Sequence, residues 1–331
     1  MSSQLIGQNN RLSFRYRFRL IRRNFVQLYQ VGPLNTMSAD ISGFLHELFT
    51  WQNVAAFLNS NFTAALAGAF AGALAAQRIG DRAKQRDTLL QEIRSTNAAI
   101  VISFTICNAG LSLKKQFVKD IYKTYITKKF ELEEFQRRRA ASQQSPDLPF
   151  EFQADFRTLQ MPLVPIDVLR TQVYDSISAT GRPLALVAAL TGAVASLADT
   201  IQKRNALIER FRGLGPAGEA HLPAFYFGLP YGPGHVSTEF SDTVESLHSL
   251  TDDVIFFSEL LGKDLVAHGN SILEQYRNVA KVKKEKISSV DLTEAREQGL
   301  MPDATNYNDW LRGFPSTAQQ GDPGDAKKRR A

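Results

Sequence analysis

The chain has 331 residues, 44% hydrophobic and 22% charged, the balance of a folded protein with a sizeable core rather than of a disordered or collagen-like chain. One cysteine, Cys107, excludes an internal disulfide, so the fold asks nothing of an oxidising compartment. The net charge of +6 is carried by residues 1–39, where Arg11, Arg15, Arg17, Arg19, Arg22 and Arg23 meet no acid; the other 33 basic residues balance 33 acidic ones, so nucleic acid is not an expected partner of the body.

Residues 1–37 form a basic lead in which R-L-S-F-R-Y-R-F-R-L alternates Arg with other residues until Gly32-Pro33 breaks the pattern. Three readings fit: an arm on an anionic surface, an Arg-rich targeting presequence, or a segment outside the functional protein, with Met37 as the natural start. Residues 38–53 read as an amphipathic, interfacial segment with Trp51 as its aromatic anchor.

Residues 54–77 are expected to form a transmembrane helix. Its centre, Phe62 to Ala76, is F-T-A-A-L-A-G-A-F-A-G-A-L-A-A, without a charge. Small residues recur every fourth position at Ala64, Gly68, Gly72 and Ala76, and large ones at Phe62, Leu66, Phe70 and Leu74. At about 100° per residue each set keeps to one face. The small face, with Gly68-x-x-x-Gly72, is the pattern by which helices pair closely in lipid, so homo-oligomerisation through it is expected. The uncharged core is 15 residues long, short of the roughly 20 that span a bilayer, and Val54 to Asn61 must supply the rest. Residues 38–61 hold no Lys or Arg, whereas Arg78, Arg82, Lys84, Arg86 and Arg94 follow the helix. The positive-inside rule then predicts a single-pass protein of the cell inner membrane with a cytoplasmic C-terminal body. Arg78, Arg82, Lys84 and Arg86 are placed to meet anionic lipid.

Residues 78–315 read as a helical bundle with loops at 142–165 and 213–240. The uncharged stretch 98–113 is either a second span or, given Ser103, Thr105 and Asn108 within it, a helix buried in the bundle. Cys107 reads as a core residue. Leu111, Val118, Ile121, Tyr125, Leu132 and Phe135 follow the three/four spacing of a coiled-coil seam, with Lys114, Lys115, Lys119 and Lys123 around it.

Across F-T-A-A-L-A-G-A-F-A-G-A-L-A-A-Q-R-I, R-D-T-L-L-Q-E-I-R-S-T-N-A-A-I and I-C-N-A-G-L-S-L-K-K-Q the chain resembles a bacterial family of uncharacterised proteins with one N-terminal span and a helical body. The resemblance runs from about residue 50 to about 313. It implies the architecture and brings no activity, cofactor or site; the Arg-rich lead departs from it.

Four prolines between Ser142 and Pro165 exclude a continuous helix, and Phe150, Phe152 and Phe156 are expected to pin that loop to the bundle. Helical pattern resumes at Ile166, breaks at Gly181-Arg182-Pro183, and continues with Leu184, Val187, Leu190, Val194, Leu197 and Ile201 on one stripe, read as the central bundle helix. Gly213-x-Gly215-x-x-Gly218 matches a dinucleotide fingerprint by letter only, because a helix precedes it and Pro216 lies inside it. Phe225, Tyr226, Phe227, Tyr231 and His235 make either a partner-binding loop or a lid over the bundle end.

Residues 241–288 are predicted helical, with Val254, Phe257, Leu260, Leu261, Leu265 and Ile272 as core stripe. Glu245-x-x-His248 matches half of a carboxylate di-metal motif; no second copy exists, so the pair reads as part of a solvated acidic face and no metal or cofactor is assigned. Trp310 and Phe314 are expected to dock, and residues 316–331 form a basic tail without fixed structure.

The expected fold is therefore all-α: an N-terminal transmembrane helix and an antiparallel bundle of long helices. The expected function is that of a non-enzymatic, membrane-anchored scaffold, sensor or accessory protein that self-associates. Two alternatives stand beside it. One is a hydrolase or metal-dependent enzyme in which His221, His235, Glu245 and His248 converge within residues 213–248. The other is a soluble adaptor whose Ala/Gly helix is buried.

Overall fold

A computed structural model describes residues 61–141, 150–282 and 284–315; of these 77% are helical and 2% are in strands, so the fold is all-α. The lead 1–37, the interfacial segment 38–53, the start of the 54–77 helix and the tail 316–331 lie outside the described residues, as do the side chains of Phe62 and Ala64. The chain divides into two compact units, Met1–Ile79 and Gly80–Ala331. The described part of the first is the opening of helix α1 (Asn61–Leu113). Every residue from 65 to 79 is exposed there, including Leu66, Phe70, Leu74 and Ile79 at 50%, 67%, 54% and 70%.

In the second unit α1 continues through a five-residue π-helical turn, Lys114–Val118, into α2 (Lys119–Ala141). A short α3 (Ile166–Ser176) precedes α4 (Arg182–Arg212). Two small helices, α5 (Pro216–Glu219) and α6 (Leu222–Phe227), and a two-stranded hairpin, β1 (Pro230–Gly232) with β2 (His235–Val236), lead to α7 (Glu239–Ala280). The chain ends in α8 (Thr293–Glu297), a 3-10 turn (Ala304–Tyr307) and α9 (Asn308–Gly313).

Two sequence patterns build the bundle. Along α1 and into the π-helical turn, Leu89, Ile93, Thr96, Ile100, Ser103, Cys107, Gly110 and Lys114 are all buried, at alternating spacings of four and three. On α7, Thr251, Ile255, Ser258, Gly262, Leu265, Gly269, Ile272 and Tyr276 repeat the same alternation and are buried too. Two helices whose apolar rows repeat every 3.5 residues pack along those rows. The register is antiparallel: a Cβ on Gly110 would lie 2.9 Å from Ile255 Cγ1, and one on Gly269, fourteen residues further along α7, would lie 3.1 Å from Thr96 Cγ2, fourteen residues back along α1. Gly262 leaves room for the Phe104 ring, whose atoms would come within 2.8 Å of a Cβ. The bare positions bring the helices close enough for Ser103 Oγ to donate to Ser258 O at 2.7 Å, so the buried hydroxyl is paired.

The other side of α7 meets α4, also antiparallel. Arg182 at the start of α4 donates to Asp264 (Nε–Oδ2 2.7 Å), and Phe211 near its end packs on Phe240, ring centroids 5.3 Å apart. The stripe expected on α4 is buried at Val187, Leu190, Val194, Leu197 and Ile201. The central helix is α7, however, which contacts both α1 and α4; Leu184 is only half-buried. α7 also ends earlier than expected, at Ala280, because Lys281 takes a left-handed conformation (φ 53°) that caps it.

The two connecting segments are tied down by side chains. Phe150 packs on Phe135, Phe152 on Tyr226 and Phe227, and Phe156 on Phe211, as the sequence predicts. Asn205 on α4 closes a pair of hydrogen bonds with the Leu159 backbone (3.0 and 2.7 Å). The buried Arg204 donates to the Arg157 carbonyl at 2.6 Å. At the C-terminal end Asn97 of α1 accepts from Ser288 N–H and donates to Lys286 O, at 2.8 and 2.9 Å, while Ile287 fills the space left by Gly269. Trp310 docks on Phe257, as expected, and Phe314 on Trp310.

Two helical runs among the described residues are long and apolar enough to cross a membrane, 65–141 and Arg182–Arg212. In the first run residues 65–88 are all exposed, and the apolar stretch that is largely buried lies in the seam around 98–113, the helix the sequence places in the bundle.

The seam predicts opposite outcomes for two helix glycines. Gly262→Leu forces a side chain into the Phe104 ring and should cost about 1–3 kcal/mol in chemical denaturation. Gly192→Ala, exposed on α4 with nothing near its Cβ, should stabilise by up to about 1 kcal/mol.

Candidate functional site

The side chains singled out by sequence fall into three places. The first is the small-residue face of α1. Gly68 and Gly72 have no atom within 4 Å of a built Cβ, and Ala76 is exposed, so this face has no partner within the chain among the described residues. The cations Arg78, Arg82, Lys84 and Arg86 that follow are likewise exposed.

The second is the aromatic segment around the hairpin. Its residues do not form one surface. Tyr226 and Phe227 are buried, packing on Tyr125 and Phe152, and Tyr226 also lies over Phe240. These two close the end of the bundle and are removed from the expected partner-binding set. Phe225, Tyr231 and His235 keep exposed surface: Phe225 meets Tyr231 edge-on at 4.7 Å, and Tyr231 stacks on His235 at 5.8 Å. His221 joins them, 5.7 Å from Tyr231. Gly228 (φ 68°) caps α6 so closely to Ser241 that a Cβ would meet its hydroxyl at 2.5 Å.

The third place carries titratable groups that the sequence did not bring together. Lys114, the first residue of the π-helical turn, occupies the seam position after Gly110, and its side chain is 7% exposed. Its Nζ meets Asp252 Oδ1 of α7 at 2.6 Å. His248, one turn before Asp252, holds Nε2 4.0 Å from Asp252 Oδ2. Its ring stacks on Tyr122 of α2, centroids 4.0 Å apart and 11° from parallel. Its Nδ1 is buried without a hydrogen-bond partner among the described residues. Burial pushes the His248 imidazole below its ordinary value; Asp252 opposes this and Lys114 adds to it. Asp253, the next residue, turns to the Tyr307 hydroxyl at 2.8 Å, and burial raises its carboxyl.

His248 thus sits with Lys114, Asp252 and Tyr122, while His221 and His235 sit around Tyr231, and Glu245 is exposed. Among the described residues no group of three or more His, Cys, Asp and Glu side chains gathers as a metal site. The signal for the Lys114 cluster was present in the seam spacing, which continues from Cys107 and Gly110 to Lys114, and in the i, i+4 spacing of His248 and Asp252.

A second polar network crosses the far end of the seam. Glu92 Oε1 accepts from Ser178 N–H at 2.9 Å, from the Ser178 hydroxyl, and contacts His268 Nε2 at 3.0 Å. Burial would raise the Glu92 carboxyl, but the bonds from Ser178 and His268 outweigh it and hold Glu92 below the ordinary carboxylate value. Between the two networks lies Cys107, whose thiol burial pushes up to about 11, with Ser258 opposing.

No protein-family model, curated protein or solved structure matches the chain, so the resemblance to a family with one N-terminal span gains no support from these comparisons.

Two tests follow. A depressed Glu92 adds stability that is present above the ordinary carboxylate value, about 4.3, and is lost as the pH falls through the lower folded value. Melting curves between pH 5 and 3 should therefore fall more steeply for the wild type than for Glu92→Gln. Cys107, as a buried neutral thiol, should react with a thiol reagent only in denaturant, and its labelling at neutral pH should track global unfolding.

Proposed function

We propose that this chain is a non-enzymatic helical protein, anchored in a membrane by residues 54–77, with a cytoplasmic body that serves as a scaffold, sensor or accessory subunit. It self-associates through Ala64, Gly68, Gly72 and Ala76. The observation that carries this reading is the exposure of a charge-free Ala/Gly helix. Leu66, Phe70 and Leu74 are each at least half exposed, and Gly68 and Gly72 are open. Contiguous exposed apolar surface marks an interaction with a partner or a membrane. Lipid would take the large residues, and a second copy the small face, where close backbone approach is the main source of helix association. The exposed Arg78, Arg82, Lys84 and Arg86 suit a cytoplasmic, anionic lipid surface. Burial of Phe62, Phe70 and Leu74 against residues 184–201 would support the soluble alternative; Phe70 and Leu74 are exposed, which favours the anchor. The enzyme alternative required four side chains to converge, and they occupy separate clusters.

Cells expressing the full chain should retain it in the membrane pellet after alkaline carbonate and release it into detergent. Release by carbonate alone would contradict the anchor. In detergent, chemical cross-linking should give oligomers for the wild type and monomers for Gly68→Ile/Gly72→Ile, with the unfolding transition of the body unchanged; cross-linking unaffected by both substitutions would contradict the interface.

A further inference from the structure

The antiparallel seam ends where two basic groups face one carboxylate. Asp252 presents Oδ1 to Lys114 at 2.6 Å and Oδ2 toward His248 at 4.0 Å. Lys114 is nearly enclosed, so it cannot change its partner for water without moving. Its backbone opens the π-helical turn, where Lys119 N–H bonds Lys114 O five residues back. Such turns are rare departures from the α-helix and recur at functional positions.

His248 is fixed on the other side. Tyr122 covers its ring, and Nδ1 is buried with no acceptor among the described residues. Both nitrogens of an imidazolium carry hydrogen. A proton taken up by His248 therefore leaves a buried N–H without an acceptor at Nδ1 and adds a second cation beside Asp252. The charged groups facing His248 are Asp252 on its own helix and Lys114 on the π-helical turn; α2 contributes the neutral Tyr122 ring. Asp253 is engaged by Tyr307, and Glu245 is exposed one turn earlier.

We propose that Lys114, Asp252 and His248 form a pH-responsive latch on the π-helical turn: proton uptake by His248 sets it against Lys114 for Asp252 and frees the turn to rearrange. The latch goes beyond the anchor and does not depend on it. A histidine depressed in the folded state contributes stability above its ordinary value, about 6.5, and that contribution is lost as the pH falls through the lower folded value. Closed at and above neutrality and loosened as the pH falls through the lowered folded value of His248, the latch would give the body a response to acid.

The test is a titration of the detergent-solubilised full chain carrying 13C-labelled histidine, with the His248 signal assigned by its loss in His248→Gln. Amide exchange of residues 114–118, corrected for its intrinsic pH dependence, is followed in parallel. His248 should titrate below 6.5, and protection of 114–118 should fall as it does so; His248→Gln should abolish the fall. Lys114→Met leaves Asp252 to His248, so proton affinity at His248 should rise tenfold or more and acid should no longer open the turn. Lys114→Gln serves the same purpose should the Met variant not fold. A His248 midpoint unmoved by removal of Lys114, or exchange at 114–118 that is independent of pH or the same in His248→Gln, would overturn the latch.

Discussion

Close approach of α1 and α7 is the constraint on which the rest of the bundle depends. At Gly110, Gly262 and Gly269 one helix presents almost bare backbone, and Ile255, Phe104 and Ile287 fill the space that a side chain would take. That closeness lets Ser103 reach the Ser258 carbonyl and buries Cys107. It also sets the register that delivers Lys114 to Asp252 at one end and Glu92 to His268 at the other. α7 then offers its remaining side to α4, and the aromatic segments at 150–156 and 225–227 close the end of that pair. Bulk at any of the three glycines would disturb packing and polar contacts together, since interiors at native density have little slack.

Much of this was legible in the residues. The stripe Val187 to Ile201, the three/four spacing from Val118 to Leu132, the prolines of the 142–165 connection and the docking phenylalanines all report local packing by period and composition. What the sequence hid was pairing. The rows on α1 and α7 lie about 160 residues apart, and no local pattern says which face of one meets the other. Gly262 and Gly269 are spaced like seam positions, yet isolated glycines in a long helix read as tolerated defects rather than contacts. The sequence places Lys114 around the seam, since lysine is seldom buried; its phase after Cys107 and Gly110 is the better guide, and it lies buried at the start of the π-helical turn. The loop at 213–240 looked like one aromatic surface, but Tyr226 and Phe227 alternate inward while Phe225 and Tyr231 stay near solvent, a division set by two short helices and a hairpin too small to read from spacing.

Small residues occur twice along α1, with different outcomes. At Gly110 the missing side chain is filled by α7, whereas at Gly68 and Gly72 nothing among the described residues approaches. An apolar helix left bare in this way loses the free energy that burial of Leu66, Phe70 and Leu74 would contribute, roughly 1.5–3 kcal/mol for each large side chain. The proposed anchor and self-association recover it outside the chain. The same chemistry, backbone approach through missing side chains, would then serve folding in water at the seam and assembly in lipid at the anchor.

That contrast is tested most directly by spin-label accessibility along α1 in the full chain reconstituted in vesicles, with Cys107 replaced by Ala and single cysteines placed at 66, 70, 74, 93 and 100. The account predicts that labels at 66, 70 and 74 are relaxed strongly by dissolved oxygen and weakly by a water-soluble nickel complex, the signature of lipid-facing sites. Labels at 93 and 100 should be shielded from both. Strong relaxation by nickel at 66, 70 and 74, or shielding there equal to that at 93 and 100, would contradict it.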